Sequence, residues 1–251
     1  MYIFAQIISA MKISDNVQNS IDRLPLGFVF TYADISIEVK NREAIIKSLN
    51  RMVASGKLQK IAKGKYYKPE SSTFGSLPPI QYQVVKDLLI KNGKQIGYIT
   101  GIGAFNELGL TTQISNTIQI GKNEIRSSIQ RGLYKITFVK QKNIITKENV
   151  QLLKLLDAIR LIRTIPDASL QSSTQRISMI LSKFSETEID SMIKLAMSYP
   201  PSTRALLGAL LEQTSTSKNI ETLRKSVNPI TSYKIGIQES FLPNAKRWNL
   251  L

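Results

Sequence analysis

An α+β fold is what this sequence predicts, and three observations predict it. Apolar residues recur every three or four positions in several stretches, the period of a helix with one buried face. Elsewhere they alternate, the period of a strand. Turns bearing Gly, Pro or Asn cut the two kinds of stretch apart at short intervals. The patterning divides the chain into residues 1–70, a mixed α/β segment 75–145 and a mostly helical segment 146–251. The run Glu70 to Pro79, rich in Ser, Gly and Pro, parts the first segment from the rest, so the expected domains are 1–70 and 75–251.

The first segment opens with a helix over Asn16 to Leu24, where Val17, Ile21 and Leu24 share a face and Pro25 and Gly27 stop it. Phe28-Val29-Phe30 reads as a short strand, and Thr31 as the cap of a brief helix from Tyr32 to Ser36. A third helix starts near Asn41, a good N-cap, and ends at Gly56, a good C′ residue. Its stripe is Ile45, Ile46, Leu49, Met52 and Val53. Leu58 to Ile61 and Tyr66-Tyr67 then read as two strands joined through Ala62-Lys63-Gly64-Lys65, a β-hairpin with Gly in its turn. Helix, strand, helix, helix, hairpin is the order of a winged helix-turn-helix.

In the second segment a helix is expected over Gln81 to Lys91, with Val84, Val85, Leu88 and Leu89 inward and Asn92-Gly93 closing it. Tyr98 to Leu108 reads as another short helix. Its Gly101-Ile102-Gly103 triplet suits close packing better than phosphate binding, because no further motif glycine and no Gly-Lys-Ser/Thr follows. Asn116 to Ile120 and Lys135 to Val139 alternate like strands, with Arg131-Gly132 at a turn. The third segment holds an amphipathic helix from Lys147 to Ile165, ended by Pro166. Ser185 and Glu188 have the spacing of a capping box for the next helix. Pro200-Pro201-Ser202-Thr203 separates it from a helix over Arg204 to Gln213, and Trp248 is expected to pin the aperiodic tail to a core.

Composition narrows the function. The chain has neither Cys nor His, which removes thiol nucleophiles, disulfides, Ser-His-Asp triads, HExxH sites and zinc fingers. Carboxylates remain, richest at Asp157, Asp167, Glu186, Glu188 and Asp190, but a pair such as Glu186 and Asp190 without a third partner is ordinary surface charge. No enzyme, cofactor or metal is expected. No run approaches the roughly 20 apolar residues of a membrane span. In the start, Met1 to Asn16, the apolar run precedes the first cation, Lys12, so the basic region of a signal peptide is not expected there. It is expected to be a helix or strand packed on the core of a cytoplasmic protein.

The charge balance points to a polyanion. There are 34 Lys and Arg against 18 Asp and Glu, a net charge of +16. From Lys40 to Lys68 nine cations face one acid, Glu43. Opposite the apolar stripe of the third helix lie Glu43, Ala44, Lys47, Asn50 and Arg51, with Arg42 at the helix start. Arg, Lys and Asn are the donors that read base edges and hold phosphates in the major groove. The hairpin adds Lys60, Lys63 and Lys65, with Tyr66 behind them. The eight of these other than Glu43 and Ala44 form the expected site for double-stranded DNA, the hairpin lysines on phosphates and the helix on bases. A winged helix used only for protein contacts is the alternative.

The runs LLKLLDAIRLIRTIPD at Leu152 to Asp167, SYPPSTRALLGALLE at Ser198 to Glu212, NPITSYKIGI at Asn228 to Ile237 and the closing LPNAKRWNLL resemble the AbiEi family of antitoxins. So do GKYYKP at the end of the first segment and GIGAFNELGLTTQ in the second. The likeness covers nearly the whole chain and is carried by structural phrases. It implies the antitoxin of a type IV, abortive-infection toxin–antitoxin operon. Such a protein represses its own promoter, at an inverted repeat, and counters a nucleotidyltransferase-like toxin through residues 75–251. The competing readings are a winged-helix transcriptional regulator without a toxin and a nucleic-acid-modifying enzyme with a carboxylate-held metal.

Overall fold

The computed structural model describes residues 14–35, 42–73, 75–214 and 219–251. The chain is mixed α and β and divides into two compact units, Met1–Lys86 with Gln130–Tyr134, and Asp87–Ile129 with Lys135–Leu251. The expectations for Asn41 and for the apolar start up to residue 13 lie outside the described residues.

The first unit begins with helix α1, residues 14–22, which buries Val17 and Ile21. Strand β1 (Val29–Phe30) leads into a 3-10 turn, Tyr32–Asp34, closed by a capping box between Thr31 and Asp34. Thr31 is the cap expected, and its box with Asp34 satisfies two donors at the start of the turn; the expected end at Ser36 lies outside the described residues. Helix α2 (Arg42–Ala54) buries Ile45, Ser48, Leu49 and Met52, the face its spacing marks. Gly56 follows with φ +76, a backbone state that costs glycine nothing. Strands β2 (Gln59–Ala62) and β3 (Lys65–Tyr67) pair antiparallel, and β1 joins the other edge of β3. The sheet order is β1-β3-β2. Phe30, Leu58 and Tyr66 come from these strands to meet Val17, Ile21, Ile45, Leu49 and Met52 in one apolar core. Each such side chain contributes about 1.5–3 kcal/mol on burial.

The stretch expected to be a linker is structured. β4 (Glu70–Ser72) and β5 (Gly75–Leu77) form an antiparallel hairpin, Glu70 opposite Leu77 and Ser71 opposite Ser76. Its polar, exposed side chains give it a loop's composition, while its backbone groups pair with each other. The first unit also extends past residue 75. In helix α3 (Gln81–Leu89), the Gln83 side-chain carbonyl accepts from Val29 N at 3.3 Å, and the Lys86 ammonium lies 3.6 Å from the Phe28 ring centroid. Arg131, which is buried, donates to Val84 O at 2.6 Å. The boundary therefore falls within α3, not in the Ser/Gly/Pro run.

In the second unit, α3 stops at Leu89, two residues before its expected end. Ile90–Lys91 (β6) and Lys94–Gln95 (β7) pair across Asn92-Gly93, whose φ values are +50 and +74. Asn-Gly is the strongest short hairpin signal because both residues accept positive φ. Tyr98–Thr100 is a strand, β8, and only Ile102–Glu107 is helical, α4. The helix expected over Tyr98 to Leu108 is thus half right: its β-branched and aromatic start pairs antiparallel with β9 (Thr117–Lys122). Strands β10 (Ile129–Arg131) and β11 (Tyr134–Lys140) flank the turn at Gly132. β9 and β11 run parallel in register from Thr117 opposite Lys135 to Lys122 opposite Lys140.

The remaining helices are α5 (Val150–Arg160), α6 (Leu170–Leu181), α7 (Glu186–Ala196), α8 (Pro201–Thr214) and α9 (Ile220–Lys225). The long helix expected up to Ile165 ends at Arg160 and gives way to a 3-10 turn, Ile162–Thr164. The start of α7 has the expected capping box between Ser185 and Glu188. The second of the two prolines is the first residue of α8, where a missing N–H costs nothing. That helix therefore begins three residues earlier than expected. α5 and α8 form the middle of the core, with Leu153, Leu155, Leu156, Leu206, Leu207, Leu210 and Leu211 fully buried. Trp248 sits on Gly208, where an added Cβ would lie 2.2 Å from its ring, and its indole N–H donates to Glu212 Oε2 at 3.0 Å.

Candidate nucleic-acid interface

The eight residues expected to meet DNA come from two neighbouring elements of the first unit, α2 and the β2–β3 hairpin. Six of them, Arg42, Asn50, Lys60, Lys63, Lys65 and Tyr66, line one groove of about 570 Å³. Thr31, Tyr32, Ala33, Ile46 and Gly64 complete its wall. Lys47 and Arg51 do not line the groove. They lie on the exposed outer face of α2, one turn apart, with Asn50 beside Arg51. The helical period does this: once Ile45, Leu49 and Met52 are buried, positions 43, 47, 50, 51 and 54 must face solvent.

Tyr66 corrects the expectation. Tyr66 is only 3% exposed and its ring packs 6.1 Å from Phe30 between ring centroids, so its ring belongs to the core. Burial pushes its phenol above the usual range, so it stays protonated and is a donor. The hydroxyl donates to Asn50 Oδ1 at 3.3 Å. Tyr66 therefore positions Asn50 from beneath and links the hairpin to α2. Lys60 lies 5.8 Å above the same ring, which steers its ammonium toward the helix side of the hairpin.

Arg42 is exposed, and its guanidinium sits 4.5 Å from the Tyr32 ring centroid. Tyr32 and Ile46 were not expected at the site. Nothing in their spacing marks them, because the capped turn that brings Tyr32 under Arg42 is a tertiary contact. Among the described residues, no carboxylate lies within ion-pairing distance of Lys47, Arg51, Lys60 or Lys63. By contrast, Lys57 just outside the site pairs with Asp22 at 2.9 Å. Hydrogen bonds from Gln18 and Lys57 hold Asp22 below its usual range. Lys47, Arg51, Lys60 and Lys63 therefore make a mainly basic surface, in which Glu43 is the one acid on α2.

The acidic residues considered as metal ligands are spread by the fold. Glu188 is spent on its cap: its carboxylate accepts from Ser185 N at 2.8 Å and from the Ser185 hydroxyl, which lowers it below the usual range. Asp157 is buried among hydroxyls: Tyr98 and Thr100 donate to one oxygen at 2.8 and 2.7 Å, and Tyr199 to the other at 2.8 Å. Among the described residues, no three carboxylates converge.

Residues 16–189 match the profile of a family of unknown function, DUF6088, and the chain belongs to that family. No curated protein matches it. Among solved structures, the Rv2827c protein from Mycobacterium tuberculosis is similar, with a TM-score of 0.54 over 86% of this chain and 81% of that one at 13% identity. At that identity the likeness concerns the fold alone.

Proposed function

For this member of DUF6088 we propose a non-catalytic DNA-binding function, carried by a winged helix in the first unit. The single observation that supports it most is the set of exposed cations Lys47, Arg51, Lys60 and Lys63, none with a carboxylate partner among the described residues, on α2 and the β2–β3 hairpin. In this reading α2 enters the major groove, Lys47, Asn50 and Arg51 face base edges, and Lys60, Lys63 and Lys65 hold phosphates. The order α1, β1, capped turn, α2, hairpin and the order β1-β3-β2 of its sheet support the winged-helix assignment.

The wider role rests on the resemblance to AbiEi antitoxins. The protein represses its own operon at an inverted repeat and counters a nucleotidyltransferase-like toxin, acting in the cytoplasm. Among the described residues no helix is long and apolar enough to cross a membrane, in keeping with that site of action. Gel shifts with the promoter duplex and a scrambled duplex test the first part: equal affinity for both removes the repressor claim. Co-expression with the neighbouring gene, scored for growth, tests the second. If no neighbour is toxic, the protein is a winged-helix regulator without a toxin.

A further inference from the structure

A second basic site lies within the other unit. The last residue of β11, Lys140, and the two that follow, Gln141 and Lys142, form one wall of a pocket of about 330 Å³. Asp157 and Arg160, three apart on α5, form another, and the α7–α8 connection up to Pro201 closes it. Lys140, Lys142 and Arg160 are exposed, and among the described residues none has a carboxylate within ion-pairing distance. Lys140 instead donates to the Asn123 carbonyl, which fixes its stem along the strand end.

The one acid in the lining is turned inward. Both Asp157 oxygens accept hydroxyl hydrogens from Tyr98, Thr100 and Tyr199, and Gln141 Nε2 donates to both tyrosine oxygens at 2.8 and 2.9 Å. Asn143 donates in turn to Gln141 Oε1, at 2.9 Å from its backbone and 3.1 Å from its side chain. The network fixes the carboxylate at the floor, turned into its hydroxyl partners, and the three cations stand at the mouth above it. Arg160 supplies a planar fork and the lysines two point charges, the donor set suited to a phosphoryl group. The pocket lies at the carboxyl end of β11.

We propose that this pocket binds a phosphomonoester, with the phosphate on Lys140, Lys142 and Arg160 and the organic part toward Tyr199 and Gln141. The phosphate comes either from a small phosphorylated metabolite or from the 5′ end of a nucleic acid, and the test separates the two. Calorimetric titration of the full chain uses AMP against adenosine, and a short single-stranded DNA with a 5′-phosphate against the same strand with a 5′-hydroxyl. At least one phosphorylated probe binds tenfold or more tightly than its unphosphorylated counterpart; AMP identifies the metabolite source and the strand the nucleic-acid end. R160A and K142A, both at exposed positions, each weaken that binding about tenfold. The gain is read against the unphosphorylated counterpart, so duplex binding by α2 does not enter it. The proposal is overturned if neither phosphate gains affinity, or if R160A and K142A with unchanged thermal melts bind as the wild type does.

Discussion

Salt titration of duplex binding puts the basic field of the first unit to a quantitative test. Each phosphate neutralised by a lysine or arginine releases condensed counterions, and log affinity falls against log salt with a slope of about −0.9 per contact. Lys47, Arg51, Lys60 and Lys63 stand exposed without a carboxylate partner among the described residues. If Lys60 and Lys63 each hold a phosphate, they contribute a slope of about −1.8, a loss of roughly 12-fold between about 50 and about 200 mM salt. The double variant K60A/K63A removes that share, so its slope is shallower than that of the wild type by about 1.8. In the proposed reading these lysines hold phosphates, so the preference for the promoter over scrambled duplex survives in it. R51A instead costs about 1–3 kcal/mol on the promoter and little on scrambled DNA. Fluorescence anisotropy with both duplexes at four salt concentrations measures all of this. A double variant with the wild-type slope, or one that loses the sequence preference while R51A keeps it, refutes the division of labour between hairpin and helix.

Two further outcomes concern the second unit. Gly208→Ala drives a methyl into the ring of buried Trp248 and costs about 1–3 kcal/mol in urea denaturation, with a shift in tryptophan emission; an unchanged midpoint would show that the close approach is not a constraint. Burial raises Asp157 above its ordinary value, against the lowering effect of its hydroxyl partners, so the folded state binds a proton more readily than the unfolded one. Its contribution therefore falls as pH rises from the ordinary carboxylate value through the raised folded one, then levels off. Urea titrations of the wild type and Asp157→Asn across the acid range check the sign: a wild type that gains on the variant as pH rises would mean the hydroxyl network outweighs burial.

Much of the interface could be read from the sequence because it depends on local period. The stripe Ile45, Leu49 and Met52 fixes which side of α2 is buried, so Lys47, Asn50 and Arg51 on the opposite side followed without coordinates. The hairpin was equally legible, since Gly64 takes positive φ (+71) between two short strands. Tyr66 was misplaced for the same local reason. A tyrosine amid lysines looks like part of the surface, and only its pairing opposite Phe30 in the sheet carries it inward.

Sequence alone settled the α+β class, the cap at Thr31, the capping box at Ser185, the buried face of α2 and the concentration of charge from Lys40 to Lys68. Each is written within one or two turns of chain, where propensity, spacing and composition act. Tertiary structure alone decided where the units divide, because β4 and β5 pair within a run composed like a linker and Gln83 and Arg131 make their contacts back into the first unit. It also placed Asp157 under Tyr98, Thr100, Gln141 and Tyr199, residues 16 to 59 positions away in sequence. Burial and hydrogen bonding between distant segments set that carboxylate's environment, and no local pattern in the chain encodes either.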